Sequence, residues 1–405
     1  MQRRRPSNKL EYQTAPIFNK MDRPTGKAGD PSPQFVYDGS FMMTAISETE
    51  LERQRLQPAA TDYGNSVIRR LLILLALALM ALCVFVIDIL VGSGTLSLNE
   101  VVNVLLFPGS AEASARFVVW ELRMPMTLMA LITGISLSLS GLLMQTILDN
   151  PLAEPFTLGV SSAAGFGAAL SLGFSVSITT IMPWLPPELI TAVNAFLFAL
   201  LAAGLVLGLS RGGASVQSIT LLGIALHFVF SSLLSLVQYM ASVDQLQSIV
   251  FWLMGSLQRA TWLKVGIAGA ICAVTLPVVL FHAWSLTTLR SFGEQATVYG
   301  VNVRFLRILM LTIAAMLAGA VTAVVGIIGF IGLVAPHVAR MLVGEDHRFT
   351  IAATIAVGAV FATMASLATK IIVPGAVLPL GMVTSLTGLP FFIFLVLRQT
   401  KGDPR

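Results

Sequence analysis

Charged side chains are scarce in this sequence. Asp, Glu, Lys and Arg make up 11% of the 405 residues, apolar types make up 56%, and the mean hydropathy is +0.83. Soluble globular domains carry about a quarter charged residues. The scarcity excludes a soluble globule of ordinary composition. It predicts an all-α polytopic membrane protein, because apolar runs of about 20 residues suit helices that span a bilayer.

Cysteine is nearly absent as well. The two cysteines, Cys83 and Cys272, both lie inside apolar runs, so a disulfide framework, a zinc cage or a CxxC redox pair is excluded. We expect neither a metal site nor a cofactor. The formal charge of +5 does not indicate nucleic-acid binding, because the basic residues lie at the ends of apolar runs and in the N-terminal segment.

Catalytic motifs are missing. The sequence contains no GxxxxGK[ST], HExxH or GxSxG, which excludes a site for nucleotide, metal-assisted or serine hydrolysis. The chain is therefore predicted not to be an enzyme and to have no catalytic residues. A transport protein of this size without a motor of its own is expected to take energy from another chain.

Ionisable residues within the apolar runs are few. They are Asp88, at the outer end of the first run where it can reach the interface, and three histidines, His227, His282 and His337. A coupling ion or proton would need such groups. We interpret the histidines as structural, hydrogen-bonded residues. The alternative is a proton relay in an ion-coupled secondary transporter, a different class of protein.

The first 66 residues differ from the rest. They carry nine Lys or Arg and eight Asp or Glu and have no apolar period. This composition predicts a disordered cytoplasmic tail over residues 1–66, followed by a membrane domain over 67–400. The tail is not predicted to be a signal peptide, since the first apolar run starts only near Leu71.

Apolar blocks of spanning length predict the number of helices. Nine such blocks cover residues 71–87, 124–147, 156–182, 189–210, 212–243, 265–289, 308–339, 349–369 and 371–397. The block 308–339 is 32 residues long, carries glycines at 326, 329 and 332, and contains Pro336. Proline removes a helical donor, so we split this block in two and predict ten spans.

The distribution of basic residues supports ten spans. With the N-terminus inside, eleven Lys or Arg flank the inner ends of the spans and five flank the outer ends. This obeys the positive-inside rule, whereas nine spans would reverse the balance. Both termini are therefore predicted to be cytoplasmic.

A weak internal repeat is visible. A pattern of two glycines and a proline recurs 185 residues later: Gly134, Gly141 and Pro151 match Gly319, Gly326 and Pro336. Span 2 would then match span 7. Because five spans separate the copies, they point in opposite directions, which predicts an inverted repeat of spans 2–5 and 7–10, an architecture of transporters. In this interpretation Pro336 repeats the helix break at Pro151.

Three segments resemble a known family. They are "ELRMPMTLMALITGISLSLSGLLMQTILDNPLAEPFTLGVSSAAGFGAAL", "FGEQATVYGVNV" and "GFIGLVAPHVARMLVGEDHR". They are similar to the FecCD group, the permease subunits of type II ABC importers that bring in ferric siderophores, haem and cobalamin. The resemblance runs from about residue 67 to 400. It implies a ten-helix subunit in a bacterial plasma (inner) membrane, importing a ferric siderophore or related iron chelate, with haem or cobalamin as the alternative cargo.

The resemblance also implies partners and roles. The partners are a cytoplasmic ATP-binding subunit, an extracytoplasmic substrate-binding protein and a second permease subunit, identical or not. "FGEQATVYGVNV" resembles the segment that couples to the ATPase, with Gly293, Glu294, Ala296 and Gly300 as its site residues. The inner gate would contain Ala214, Ser215 and Gln217, in the connection between spans 4 and 5.

The outer face departs from the family pattern. The family often reads LRxPR, with both arginines offered to acidic residues of the binding protein; here Arg123 is present and Met126 replaces the second arginine. Lys370 stands where an outer basic residue is expected. The resemblance therefore predicts docking of the binding protein at Arg123 and Lys370 with a smaller set of charges.

Overall fold

The structure is a computed structural model that describes residues 39–401 except 93–95, 110, 175, 177–182, 212–214 and 374–375. Within these ranges it contains helices and no strand. The α-helices are α1 Gly39–Leu90, α2 Leu98–Leu106, α3 Ala113–Phe117, α4 Met124–Ile147, α5 Val160–Phe174, α6 Pro187–Arg211, α7 Val216–Met240, α8 Val243–Leu253, α9 Trp262–Phe281, α10 Ala283–Phe292, α11 Val303–Val325, α12 Ile331–Val343, α13 His347–Ile371 and α14 Leu380–Lys401.

The helices match the predicted spans. Among the described residues, seven helical segments are long and apolar enough to cross a membrane; they lie in α1, α4, α6, α7, α9, α11 and α13. Three shorter apolar helices, α5, α12 and α14, complete the set. Each falls on one of the predicted spans, so the prediction of an all-α protein with about ten spans is confirmed.

The N-terminal segment is partly helical. Helix α1 starts at Gly39, so residues 39–66 are helical rather than irregular as their composition predicts. The remainder of the predicted tail, residues 1–38, lies outside the described residues.

The long block 308–339 is two helices, as predicted, but the break is not at Pro336. Helix α11 ends at Val325, and the chain turns through Gly326 (φ +86°) and Phe330 (φ +69°) before α12 begins. Positive φ is easy for glycine and strained for phenylalanine. Pro336 lies inside α12, whereas Pro151 lies in the turn after α4. The interpretation of Pro336 as the second copy of the Pro151 break is therefore wrong.

Helix α4 is the centre of the bundle, and glycines let its neighbours approach. A Cβ at Gly134 would overlap the carbonyl of Gly358 in α13, and one at Gly141 would overlap the carbonyl of Gly332 in α12. Such small residues allow close backbone contact between membrane helices. Eighteen of the 24 residues of α4 are buried, so this helix is surrounded by protein and not by lipid.

Contacts between α4 and α11 show that the two copies of the repeat are inverted. Met144, near the end of α4, shares a core cluster with Leu306, near the start of α11. Met129, near the start of α4, packs in a cluster with Val325 at the end of α11. The two helices are therefore antiparallel. The packing of α4 on α13 is matched by that of α11 on α6, and α5 on α6 by α12 on α13.

Candidate functional site

The segment predicted to couple to an ATPase is a short helix between two glycines. After α10, Gly293 has φ +57°, a 3-10 helix runs from Gly293 to Tyr299, and Gly300 is left-handed at φ +81°. The rings of Phe292 and Tyr299 stack at 4.5 Å between centroids. The glycines permit the two turns of the chain, and the stacked rings hold the two ends of the segment together.

The predicted residues divide between the core and the surface. Ala296 is fully buried in the core cluster that contains Leu306. Glu294 is exposed, and its Oε1 accepts a hydrogen bond from Arg307 Nη2 at 2.8 Å. Ala296 thus anchors the segment, while its outer side, including Gln295 and Tyr299, is open to a partner.

The loop "GEDHR", residues 344–348, contacts α10, the helix that precedes this segment. The Asp346 side chain caps α13 by accepting from the Arg348 N–H at 3.1 Å. Burial alone would raise the pKa of the Asp346 carboxyl, but the hydrogen bonds from Arg348 outweigh burial and hold this pKa below its usual value. His347 is buried; its N–H donates to Thr287 Oγ1 at 2.9 Å and its Nε2 lies 2.8 Å from Thr146 Oγ1.

Ion pairs join two connections at this end of the bundle through the helices α10 and α12. Arg290 in α10 lies 2.6 Å from Asp149, in the turn after α4, and 3.4 Å from Glu345. Glu345 also lies 3.8 Å from Arg340 in α12. Exposed pairs of this kind contribute little to stability individually. Their arrangement nevertheless links the end of α4, helix α10 and the α12–α13 loop.

A cleft of about 860 Å³ opens among these elements. Its walls include Asp149, Arg290 and Glu294, together with Ser215 and Gln217 at the start of α7. Ser215 caps α7 by accepting from the Ser218 N–H at 3.2 Å, and both gate residues are exposed. The third predicted gate residue, Ala214, lies outside the described residues. The cleft brings the predicted gate and the predicted coupling segment together.

Helix α12 is held to α4 by a residue that the sequence analysis missed. Pro336 has no N–H, so the carbonyl of Gly332, one turn earlier, loses its helical donor. The buried Gln145 side chain supplies one, with Nε2 at 3.3 Å from that oxygen, and its Oε1 accepts from the Arg340 guanidinium. The signal was present in the sequence: Gln145 is the only amide side chain in the apolar block 124–147.

The two residues predicted to dock a binding protein are buried. Arg123 is 5% exposed and donates to the carbonyls of Ile89 and Leu90 at 3.3 and 3.1 Å, at the end of α1. Lys370 is 6% exposed, and its Nζ lies 2.8 Å from Asp88 Oδ2. Their donors are directed into the protomer, so both residues fix the end of α1. Direct contact with a partner stays a prediction.

The sequence predicts that Asp88 reaches the membrane–water interface, and this prediction is wrong. Asp88 is fully buried. Besides Lys370, its Oδ2 accepts from Thr127 in α4 at 2.6 Å and from Ser366 in α13 at 3.1 Å. One carboxylate therefore joins α1, α4 and α13. A buried charge needs this degree of pairing because its desolvation is costly.

The three histidines singled out in the sequence lie apart, two in helices and one in the turn between α9 and α10. His227 in α7 lies between the rings of Phe156 and Phe228, at 5.1 and 5.7 Å. His282, after α9, has its Nδ1 2.9 Å from the Val278 carbonyl. His337 is partly buried in α12. Among the described residues no group of three His, Cys, Asp or Glu could hold a metal ion.

These features define a polytopic membrane transport protein, with a polar cleft at one end and a buried polar cluster at the other. The model of the FecCD transport family matches residues 77–398. The chain belongs to this family. The family consists of permease subunits of ABC transporters, so the chain is a transport subunit and not an enzyme.

Named relatives of this chain are transport permeases as well. The hemin transport system permease protein of Yersinia pestis is 34% identical over 70% of this chain and 84% of its own length. A Helicobacter pylori protein (strain 26695) named as an iron chelatin transport system permease is 34% identical over 80% of this chain and 98% of its own. The solved structure of a metal-chelate type ABC transporter in an inward-facing conformation is 31% identical, with a TM-score of 0.70, covering 80% of this chain and 99% of that one.

Proposed function

We propose that this permease imports a ferric siderophore or a related iron chelate across the plasma (inner) membrane of a bacterium. The observation that carries the proposal is the family match over residues 77–398, together with relatives named for hemin and iron chelatin transport. The relative named for hemin makes haem the second candidate cargo, and cobalamin is the alternative that the sequence resemblance adds.

Family membership implies two partners, an ATP-binding subunit and a substrate-binding protein. We place the ATP-binding subunit against the segment that contains Gly293, Glu294, Ala296 and Gly300, since its outer side is open and its inner side is anchored. We place the inner gate at Ala214, Ser215 and Gln217, because the last two line the same cleft. This end is then cytoplasmic, as are both termini.

The binding protein would dock at the opposite end of the bundle, where Arg123 and Lys370 lie. Because both side chains are buried, we propose that they shape the docking face by fixing α1 against α4 and α13. A second permease subunit, identical or homologous, would complete the pathway.

The cargo is tested by uptake. Proteoliposomes containing the permease with its ATPase are supplied with binding protein loaded with a neutral ferric trihydroxamate, a ferric tricatecholate, haem or cobalamin. Import of a ferric siderophore in preference to haem and cobalamin supports the proposal. Import of haem alone or cobalamin alone would replace the cargo while leaving the permease function intact.

A further inference from the structure

A second cavity, of about 570 Å³, opens at the break between α11 and α12. Its wall is mainly apolar and includes Phe156, Met254, Ile327, Phe330, Met382 and Leu386. One ionisable side chain, Glu154, lines it, and no Lys or Arg does so among the described residues. The cavity therefore combines an apolar surface, suited to a bulky chelate, with a single carboxylate.

The carboxylate is fixed in place by the backbone. Glu154 is 9% exposed, and burial raises the pKa of its carboxyl to about 7, while a hydrogen bond from the backbone N–H of Phe330, the residue that caps α12, opposes this rise. At pH 8 the carboxyl is therefore mainly ionised. A helix N-terminus favours a negative charge. Phe330 cannot move away easily, because it packs against Gly388, where a Cβ would overlap its own Cβ.

The described contacts leave the charge of Glu154 without a cationic partner. Basic side chains of the bundle form ion pairs elsewhere. Arg290 pairs with Asp149, Arg340 with Glu345, and Lys370 with Asp88. Ionisable residues within membrane proteins are costly and commonly mark a transport pathway. A single unneutralised charge in a cleft with low-dielectric walls also focuses its field on whatever enters.

We propose that Glu154 sets the charge selectivity of the transport pathway, favouring neutral or cationic metal chelates and disfavouring anionic chelates and oxyanions. This inference rests on the proposed function, since it treats the cavity as part of the pathway. Glu154 acts here through its charge, and its hydrogen bond to Phe330 positions that charge at the cavity wall.

The test measures the electrostatic potential of the cavity directly. Ser385 lines the cavity and is exposed. In a background with Cys83→Ser and Cys272→Ala, Ser385→Cys is modified at pH 8 in the purified permease–ATPase complex. The reagents are methanethiosulfonates of similar size, one cationic (trimethylammonium) and one anionic (sulfonate). The ratio of their rates is divided by the ratio for a free thiol.

We expect the corrected ratio to favour the cationic reagent about tenfold, because a nearby negative charge attracts the cationic reagent and repels the anionic one. Glu154→Gln should bring the ratio close to one. The amide oxygen of glutamine can still accept from Phe330, so the fold is kept. Glu188→Gln is the matched control, because Glu188 is exposed in the first turn of α6 and does not line this cavity, and it should leave the ratio unchanged.

A ratio that Glu154→Gln does not alter overturns the proposal. Met382→Cys is the second probe position, and failure of both positions to react would show that the cavity is closed to water, which also overturns it. The proposed cargo is tested separately. If the ratio depends on Glu154 but no ferric chelate is imported, the cargo assignment fails and the charge selectivity stands.

Discussion

At the scale of single residues, Gln145 shows how a proline is accommodated inside a membrane protein. A carbonyl freed by proline must find another donor where no water is available. Gln145 donates to Gly332 and accepts from Arg340, so one side chain satisfies α12 on both sides of Pro336. The sequence predicts a helix break at Pro336. This is wrong because the donor that replaces the missing N–H comes from another helix, which the sequence alone does not reveal.

We expect Gln145→Leu to lower the free energy of unfolding by about 2–3 kcal/mol, because it leaves a buried carbonyl and a guanidinium without their partner. In a Pro336→Ala background, the alanine N–H can satisfy Gly332, and the same substitution should cost about 1 kcal/mol less. Thermal unfolding in detergent measures both. Gln247→Leu, on an exposed position of α8, is the control. Equal costs in the two backgrounds would show that Gln145 does not serve the proline.

The pair between Asp88 and Lys370 is the second test at this scale. Removing one partner, as in Lys370→Met, should destabilise the protein by about 3–5 kcal/mol because it strands a buried charge. The double variant Asp88→Leu/Lys370→Met should recover much of this loss. Unfolding temperatures of the two single variants and the double variant form the measurement. A double variant less stable than either single variant would contradict the assignment of a mutually neutralising pair.

At the scale of elements, the two turns of the segment 293–300 agree with the sequence, while its coupling to an ATPase stays a prediction. Gly293 and Gly300 both have positive φ, and the helix between them lies where the motif places it. Neither glycine has an atom within 4 Å of an added Cβ. Glycine is therefore required at these two positions for its positive φ and not for space. A substitution should change the shape of the segment without disturbing the core.

Gly300→Val should strain the left-handed position by about 1–2 kcal/mol and displace the end of the 3-10 helix. We expect the protein to remain in the membrane, while copurification of the ATPase or coupling of hydrolysis to uptake falls severalfold. Gly300→Asn is the matched control, since asparagine tolerates the left-handed region, and it should behave much like the wild type. If valine leaves copurification, stimulated hydrolysis and uptake unchanged, the coupling surface lies elsewhere, with "GEDHR" the next candidate.

Other elements could not be read from the sequence. The break between α11 and α12 falls at Gly326–Phe330 because glycine and a left-handed phenylalanine reverse the chain there, while Pro336 is rescued by Gln145. Similarly, the sequence places Asp88 at the end of the first span with no partner nearby in the chain. Its partners Thr127, Ser366 and Lys370 come from helices distant in sequence, and only the packed bundle brings them together.

At the scale of the whole molecule, hydropathy and the positive-inside distribution were sufficient for the number of spans, because the bilayer dictates helix length. The inverted repeat was also visible, through glycines that the structure uses for close packing. The docking prediction depended on charge alone. It did not account for burial, which places Arg123 and Lys370 inside the protomer.

Deleting residues 1–60 should leave uptake close to that of the full chain. The apolar part of α1 that is suited to crossing a membrane begins at Gly64, and the segment before it lacks a core-forming pattern. Uptake rates and ATPase copurification of the truncated protein are compared with those of the full chain at equal amounts in the membrane. Loss of copurification would show that the N-terminal segment is a contact for the ATPase.

We propose that this permease is driven by ATP hydrolysis on another chain. The most direct test is uptake of ⁵⁹Fe-labelled ferric siderophore by proteoliposomes containing the permease and its ATPase, with loaded binding protein outside and Mg-ATP inside. We expect uptake that stops when the ATPase carries a substitution of its catalytic glutamate and that continues in the presence of a proton uncoupler. Uptake that is abolished by the uncoupler and indifferent to the ATPase substitution would contradict the account and identify an ion-coupled secondary transporter.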